Sequence, residues 1–412
     1  MAQSSIREYD AKRMFAQYTH KKYDGILIEY ESDITWFCDK NSQLSEFQDS
    51  RFVIKPDQLF GKRGKYGLVG INLDAHTLHD WWKSHDQKKV EIGGNDGKLS
   101  TFLIEPFVLH TAEYYVAIRT EREYDELIFS SAGWVDIEEH WESTKSIQIK
   151  LCRNKARQEN AIKTGFNIED DIIVGFLADL YDFFVAYGFS YLEVNPFVKD
   201  TSLEISCLDM VARVDTCESY RQRNTWNDLE FPHPFGPEKS KAEKYIDDLD
   251  STTGASLKLR ILNPDGRIWL LTSGGGASVI IADTLADMGL ASAIGNYGEC
   301  SGNPDRDNTR AYTLTLLEVM LRGEWKNKYL IIAWAIANFT HIDKTFAGII
   351  DALKIYRDDL RKQDVHILVR RGGIYDTRWL QMMQEACIDL RLSCEIADGN
   401  VYMTDILKHI TL

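Results

Sequence analysis

The sequence predicts an α/β protein in two parts, an α+β first half and a second half built on a parallel sheet with helices on both faces. Three observations carry this. The chain has 412 residues, and at roughly 150 residues per domain that is enough for more than one core. A break in composition, DLEFPHPFGPEKS at 228–240, holds three of the eight prolines within six residues and reads as a linker or crossing segment. Beyond it, strand-like and helix-like segments alternate, the pattern of a parallel sheet.

From Gly25 to about Asp215 the runs ILIEY (26–30), FVIK (52–55), YGLVGINL (66–73), FLIEPFV (102–108) and YLEVNPF (191–197) carry the β-branched and aromatic content of strands. Asp170 to Tyr187 has the apolar spacing of a helix. In the second half RIWLLTS (267–273) reads as a strand, and GGGASVIIADTLADMG as a tight turn running into a helix. A helix over Arg310–Leu321, a buried strand YLIIAWAIA (329–337) and a helix over Phe346–Leu360 follow. HILV (366–369) and CEI (394–396) read as strands, with helices over Thr377–Cys387 and Met403–Leu412.

Composition narrows the function. With 44% hydrophobic and 27% charged residues the chain is a folded globular protein, neither disordered, collagenous nor a disulfide scaffold. The formal net charge of −15 argues against nucleic acid and anionic membrane as partners. The longest apolar run, Tyr329–Ala337, is nine residues, short of the ~20 that cross a bilayer. The N-terminus shows no secretory h-region, and the seven cysteines are scattered without a C-x-x-C pair. A cytoplasmic location is expected.

Open parallel sheets bind ligands at the carboxyl ends of their strands. The strand at 267–273 runs into Gly274-Gly275-Gly276-Ala277-Ser278, where free N–H groups and a helix dipole favour an anion. The strand at 329–337 ends in Asn338-Phe339-Thr340, and the one at 366–369 in Arg370-Arg371-Gly372-Gly373, whose planar guanidinium suits carboxylates. Singly, these could be a structural turn, a helix cap and surface charge. Together they point to a small polycarboxylate or phosphate.

In the first half Lys55 ends a strand, and GKRGKYGLVG follows with Gly61, Gly64, Gly67 and Gly70 among Lys62, Arg63 and Lys65. Such a basic hairpin can fold over phosphates, or be merely flexible. Glu193 and Asn195 lie two apart on one strand, hence on one face, and Asp209 sits on the next. Hard oxygen donors on neighbouring strands suit Mg²⁺ on nucleotide phosphates, so ATP is the suggested ligand.

The ordered segments KPDQLFGKRGKYGLVG, FLIEPFV, YLEVNPF, DLEFPHPFG, NPDGRIW, GGGASV, NYGECSG, IANFT and VRRGG resemble the ATP-citrate lyase family, within the wider succinyl-CoA synthetase superfamily. The resemblance runs from IREYDAKRMF to the C-terminus. It implies a two-lobed ATP-grasp domain over 1–243, with its small lobe at about 24–112, and a flavodoxin-like citrate-binding domain over 244–412. It implies that Lys55, Arg63 and Gly64 hold ATP phosphates, and that Pro106, Val108 and Glu113 form the hinge for adenine and ribose. Asn195 and Asp209 match Mg²⁺–nucleotide ligands. Glu193 matches the acid that steadies a catalytic histidine during its phosphorylation. Gly302, Asn338, Thr340, Tyr356 and Arg371 match citrate contacts, with Arg371 also stabilising the transferring phosphoryl group. Gly275, Gly276 and Ala277 match the helix N-terminus that faces the phosphohistidine, and Asp250, Thr253 and Ala255 a lesser cation site.

The implied chemistry is ATP-dependent phosphorylation of a histidine, then citryl phosphate, citryl-CoA, and cleavage to acetyl-CoA and oxaloacetate. None of the ten histidines has a glycine neighbour, so the family's Gly-His-Ala-Gly loop is absent. A partner subunit is therefore expected to supply that histidine, most of the CoA site and a citrate-synthase-like lyase domain, in a hetero-oligomer. Alternatives are a citryl-CoA synthetase subunit, or a citrate- and ATP-sensing subunit without turnover. The chain departs from the family at Trp334 and Ala335, usually glycines, and at Cys300, usually tyrosine. The histidines at 76, 79 and 85 read as a solvated helix face rather than a metal site.

Overall fold

The computed structural model describes residues 3–43, 50–133, 144–150, 155–200, 202–337, 342–373 and 376–412. The chain divides into two compact units, Met1–Pro237 and Glu238–Leu412. A division between 243 and 244 would cut a helix that runs over Lys241–Thr252.

In chain order the first unit holds β1 (Gln3–Ile6), α1 (Glu8–Tyr18), β2 (Ile26–Ile28), α2 (Glu31–Gln43), β3 (Phe52–Pro56), β4 (Gly70–Leu73), α3 (Ala75–His85), β5 (Lys89–Ile92), β6 (Asn95–Lys98) and β7 (Phe102–Pro106). Then come β8 (Glu113–Thr120), β9 (Asp125–Ser130), β10 (Lys145–Ile149), α4 (Lys155–Phe166), α5 (Asp171–Ala186), β11 (Phe189–Lys199), β12 (Ile205–Cys207) and β13 (Met210–Asp215).

A small antiparallel sheet, β2-β7-β3-β4, packs Phe52, Ile54, Phe102 and Ile104 against Ile34 and Phe37 of α2 and Leu78 and Trp82 of α3. A larger sheet runs β1-β13-β11-β8-β9-β10, with β12 beside β11. Along β11, Leu192 and Val194 are fully buried, leaving Glu193 and Asn195 on the opposite face. The buried face is covered by α5, whose Leu177, Leu180, Phe183 and Phe184 share one core with those strands. Each such side chain contributes about 1.5–3 kcal/mol by leaving water. Asp170 caps α5 by accepting the N–H groups of Ile172 and Ile173.

The expected strand over 66–73 is shorter in the structure. Residues 62–68 are wound into successive turns, Lys65 N–H to Lys62 O, Gly67 N–H to Gly64 O and Leu68 N–H to Arg63 O, and only Gly70–Leu73 pair with β3. Lys62 and Gly67 have φ near +61° and +65°, a backbone that ends strand geometry.

The second unit holds α6 (Lys241–Thr252), β14 (Ser256–Ile261), β15 (Ile268–Leu270), α7 (Gly275–Asp287), β16 (Asn296–Ser301), α8 (Arg306–Arg322), β17 (Lys328–Ala337), α9 (Ile342–Ile355), α10 (Arg357–Lys362), β18 (Val365–Gly373), α11 (Asp376–Leu390) and β19 (Ser393–Ala397). The parallel sheet is β15-β17-β18-β19. Leu330, Ile332 and Trp334 of β17 face the core made with α8, α9 and α11. Tyr329, Ile331 and Ala333 face the core made with α7 and the 405–409 turn. Helices on both faces follow from that alternation.

Three details differ from expectation. An antiparallel pair, β14 with β16, flanks the sheet, and Asn296 joins it to β15 by bonding both Leu270 N–H and Leu270 O. The helix expected over 346–360 is two helices with a break at Tyr356. The C-terminal helix is only a 3-10 turn, Asp405–His409, held by i→i+3 bonds such as Leu407 N–H to Thr404 O. Its Ile406 and Leu407 are already buried on the sheet.

Candidate functional site

In the first unit the expected phosphate-binding cations converge on one carboxylate. Glu8, at the start of α1, pairs with Lys12 at 2.6 Å, Lys55 at 2.7 Å and Arg63 at 2.6 Å. Lys12 also reaches both oxygens of Glu105 at 2.8 Å, and Lys55 reaches Glu105 at 3.2 Å. Arg63 bonds Asp209 and, through Nη1, Pro56 O at 2.8 Å. Burial alone would raise the Glu8 carboxyl, yet Lys12, Lys55 and Arg63 hold it well below the usual carboxylate range. Arg63, penalised by burial, is nonetheless raised by Asp209 and Glu8.

Helix α1 delivers Glu8 because its first turn is tied down. No side chain of its own caps it; instead Asp57, just after β3, accepts the N–H groups of Glu8 and Tyr9 at 2.9 and 3.0 Å. Burial, with the like charge of Glu8, pushes the Asp57 carboxyl up to about 6. The sequence reading had not singled out Glu8, Lys12, Asp57 or Glu105. The signal was the spacing of Glu8 and Lys12 at i and i+4 on a helix whose Ala11 and Met14 are apolar.

Asn195 and Asp209 are adjacent, Asn195 N–H donating to Asp209 O at 3.1 Å where β11 pairs with β13. Glu193, two residues back on the same face, accepts the Tyr191 hydroxyl, and the Arg213 guanidinium lies over the Tyr191 ring. Pro106 and Val108 line a cavity of about 1050 Å³ with Lys12, Glu105, Phe176 and Cys207. Glu113 lies at the start of β8 and meets His110 at 3.1 Å. Gly64 is exposed at the turn beside Arg63. The hard oxygens of Asp209 and Asn195 fit Mg²⁺. No group of three or more His, Cys, Asp or Glu side chains among the described residues is arranged to hold a metal on its own.

In the second unit Arg371 lies near the carboxyl end of β18. It is 1% exposed, and Nη1 donates to Ala335 O at 2.9 Å, while Nε and Nη2 have no hydrogen-bond partner among the described residues. Burial, with the like charge of Arg370, pushes it down to about 10. Arg370 is satisfied by the carbonyls of Val401, Trp334 and Gly399. Gly302, at the end of β16, has φ +73°, and a Cβ there would lie 2.9 Å from Ser256 N, so only glycine makes this turn. Gly275, Gly276 and Ala277 open α7, with Gly275 and Gly276 exposed.

Tyr356 sits at the α9–α10 break, with Glu318, Asp359 and Arg322 acting on its phenol. Asn338 and Thr340 fall outside the described residues. The oxygens of Asp250 are taken by Leu257 N–H and Lys258, while Thr253 Oγ1 accepts Ala255 N–H and the Asn308 amide. No helix among the described residues is long and apolar enough to cross a membrane.

A buried cation cluster beside hard oxygen donors on antiparallel sheets, followed by a buried arginine with an unpartnered edge on a parallel sheet, is the pattern of an ATP-grasp protein joined to a carboxylate-binding domain. Family models agree: residues 2–226 match the ATP-citrate synthase ATP-grasp domain, and residues 237–411 the ATP citrate lyase citrate-binding domain. The chain belongs to the ATP-citrate lyase family, a family of enzymes. It is 37% identical to the ATP-citrate synthase alpha chain protein 2 of Arabidopsis thaliana, covering 99% of this chain and 98% of that one. With human ATP-citrate synthase it shares 39% identity over 86% of this chain and 33% of that protein. The solved ATP citrate lyase of Methanothrix soehngenii, in complex with citrate and coenzyme A, superposes with a TM-score of 0.87 at 40% identity, covering 98% of each chain. The Methanosaeta concilii enzyme, solved with (3S)-citryl-CoA, gives a TM-score of 0.86 at 39% identity.

Proposed function

We propose that this chain is the ATP- and citrate-binding subunit of a hetero-oligomeric, cytoplasmic ATP-citrate lyase. A partner subunit brings the phosphorylated histidine, most of the CoA site and the lyase domain. Two facts support the division of labour. The Arabidopsis relative is named an alpha chain, and this chain spans about a third of the animal relatives it matches.

In this reading adenine and ribose enter the cavity at Pro106 and Val108, Glu113 completes the hinge, and the phosphates reach Lys55, Arg63 and Gly64. Asn195 and Asp209 hold Mg²⁺, which when bound neutralises charge on the phosphates. Glu193, oriented by Tyr191, steadies the partner's histidine while it accepts phosphate. Arg371, with Gly302, Asn338, Thr340 and Tyr356, holds citrate. The N-terminus of α7 at Gly275, Gly276 and Ala277 faces the phosphohistidine, and Asp250, Thr253 and Ala255 form a lesser cation site. The observation that carries the citrate assignment is the buried Arg371 fork with two N–H-bearing atoms unpartnered. A buried donor left so costs about 1–3 kcal/mol, which a ligand carboxylate recovers.

The test of phosphoryl transfer uses the chain with its partner and ATP labelled in the γ-phosphate. Label is expected on the partner's histidine, falling at least a hundredfold with Glu193→Ala. Absence of label with the unaltered chain, citrate still binding, would make it a sensor instead.

A further inference from the structure

Arg371 is the most deeply buried guanidinium of the second unit, and it is held there without an anion. Asp376 acts on it electrostatically, but no carboxylate stands at ion-pair distance among the described residues. Its place is taken by an aromatic face: the guanidinium carbon lies 4.7 Å from the centre of the Trp334 ring. Trp334 is itself fully buried. Its Nε1 donates to Leu271 O at 2.9 Å, anchoring the indole to the chain that continues β15. Its own carbonyl accepts Arg370 Nη1 at 2.9 Å, and it forms an isolated bridge with Ser273. The platform is therefore fixed from three sides.

The two unpartnered atoms, Nε and Nη2, are the side-on edge of the guanidinium, the edge that takes a carboxylate through two parallel N–H···O bonds. The other edge is occupied, because Nη1 donates to Ala335 O. An indole face attracts a cation without consuming any of its N–H groups. A carboxylate in the same place would have consumed the edge the ligand needs.

We propose that Trp334 is a positioning residue for carboxylate recognition: its ring holds Arg371 flat and charged while leaving the Nε/Nη2 edge free for a citrate carboxylate. The proposal rests on the assignment of citrate to Arg371.

The test is calorimetric titration of the full chain with citrate. Trp334→Phe, which keeps an aromatic face, is expected to bind within about threefold of the unaltered chain. Trp334→Leu, apolar but without a π face, is expected to weaken citrate at least tenfold. Circular dichroism and the unfolding midpoint of the second unit, which holds Trp334, are the controls for folding, and citrate is titrated at a temperature where that unit is folded in every variant; ATP affinity should be unchanged. Should Trp334→Leu fail to fold, fluorinated tryptophans placed at 334 keep the shape while withdrawing π density. Citrate affinity should then fall stepwise with fluorine number. Citrate affinity indifferent to Leu or to fluorination overturns the role of Trp334. Undiminished binding by Arg371→Ala instead overturns the citrate assignment itself, and the two failures are thereby told apart.

Discussion

The two units treat their buried cations in opposite ways. In the first, Lys12, Lys55 and Arg63 are neutralised by carboxylates of the same unit, Glu8, Glu105 and Asp209. In the second, Arg371 is left with an indole face, one carbonyl and an unoccupied edge. The difference teaches how each site meets its ligand. Three cations crowded together repel one another, so a built-in anion is needed to hold them in place before a nucleotide arrives. A single arginine can be kept by an aromatic face, and its counter-charge is then left for the ligand to supply.

The contrast can be broken first at Glu8. Glu8→Ala leaves three buried cations short of a shared partner and is expected to destabilise the first unit by about 3–5 kcal/mol. Thermal unfolding should lower that unit's transition while leaving the second unit's in place. Acid should act through the same carboxylate. Its pKa is depressed on folding, so its contribution is complete above the unfolded value near 4.5 and is lost as pH falls below it. Asp57, raised to about 6, works in the other direction: its ionisation costs stability as pH rises from about 4 to 6. Glu8→Gln should flatten the acid limb of the first unit's stability curve, and an unaltered limb would remove Glu8 from the account.

A smaller effect is expected at Gly302. Alanine there must adopt φ +73° and place a Cβ 2.9 Å from a backbone nitrogen. The expected cost is about 1–2 kcal/mol for the backbone alone, read as a lower unfolding midpoint of the second unit. Smallest is Asp57→Ala, which uncaps α1 at a cost of about 1 kcal/mol. It should weaken ATP through displacement of Glu8 without touching citrate.

Much of this contrast could be read in the residues. The unbroken apolar run YLIIAWAIA, set between helix-like segments, was sufficient to read β17 as a buried strand of a parallel sheet with helices on both faces. Lys55, Arg63, Asn195 and Asp209 were legible as one cluster because glycines and strand ends mark them. Glu8 was not, since it forms its ion pairs with residues 47 and 55 positions away. In a local window Glu8 and Lys12 look like the solvated face of a helix. The β14–β16 pair was missed for a related reason: SLKLRI and NYGECS mix charge and glycine, and their pairing is not local. Trp334 was visible as a departure, but its meaning needed Arg371 to be seen stacked upon it.

Citrate titration of the folded chain, beside succinate and Arg371→Ala, tests the central claim most directly. The account predicts citrate binding that disappears in Arg371→Ala and is absent for succinate. Equal binding of citrate by the variant, or of succinate by the unaltered chain, would contradict it.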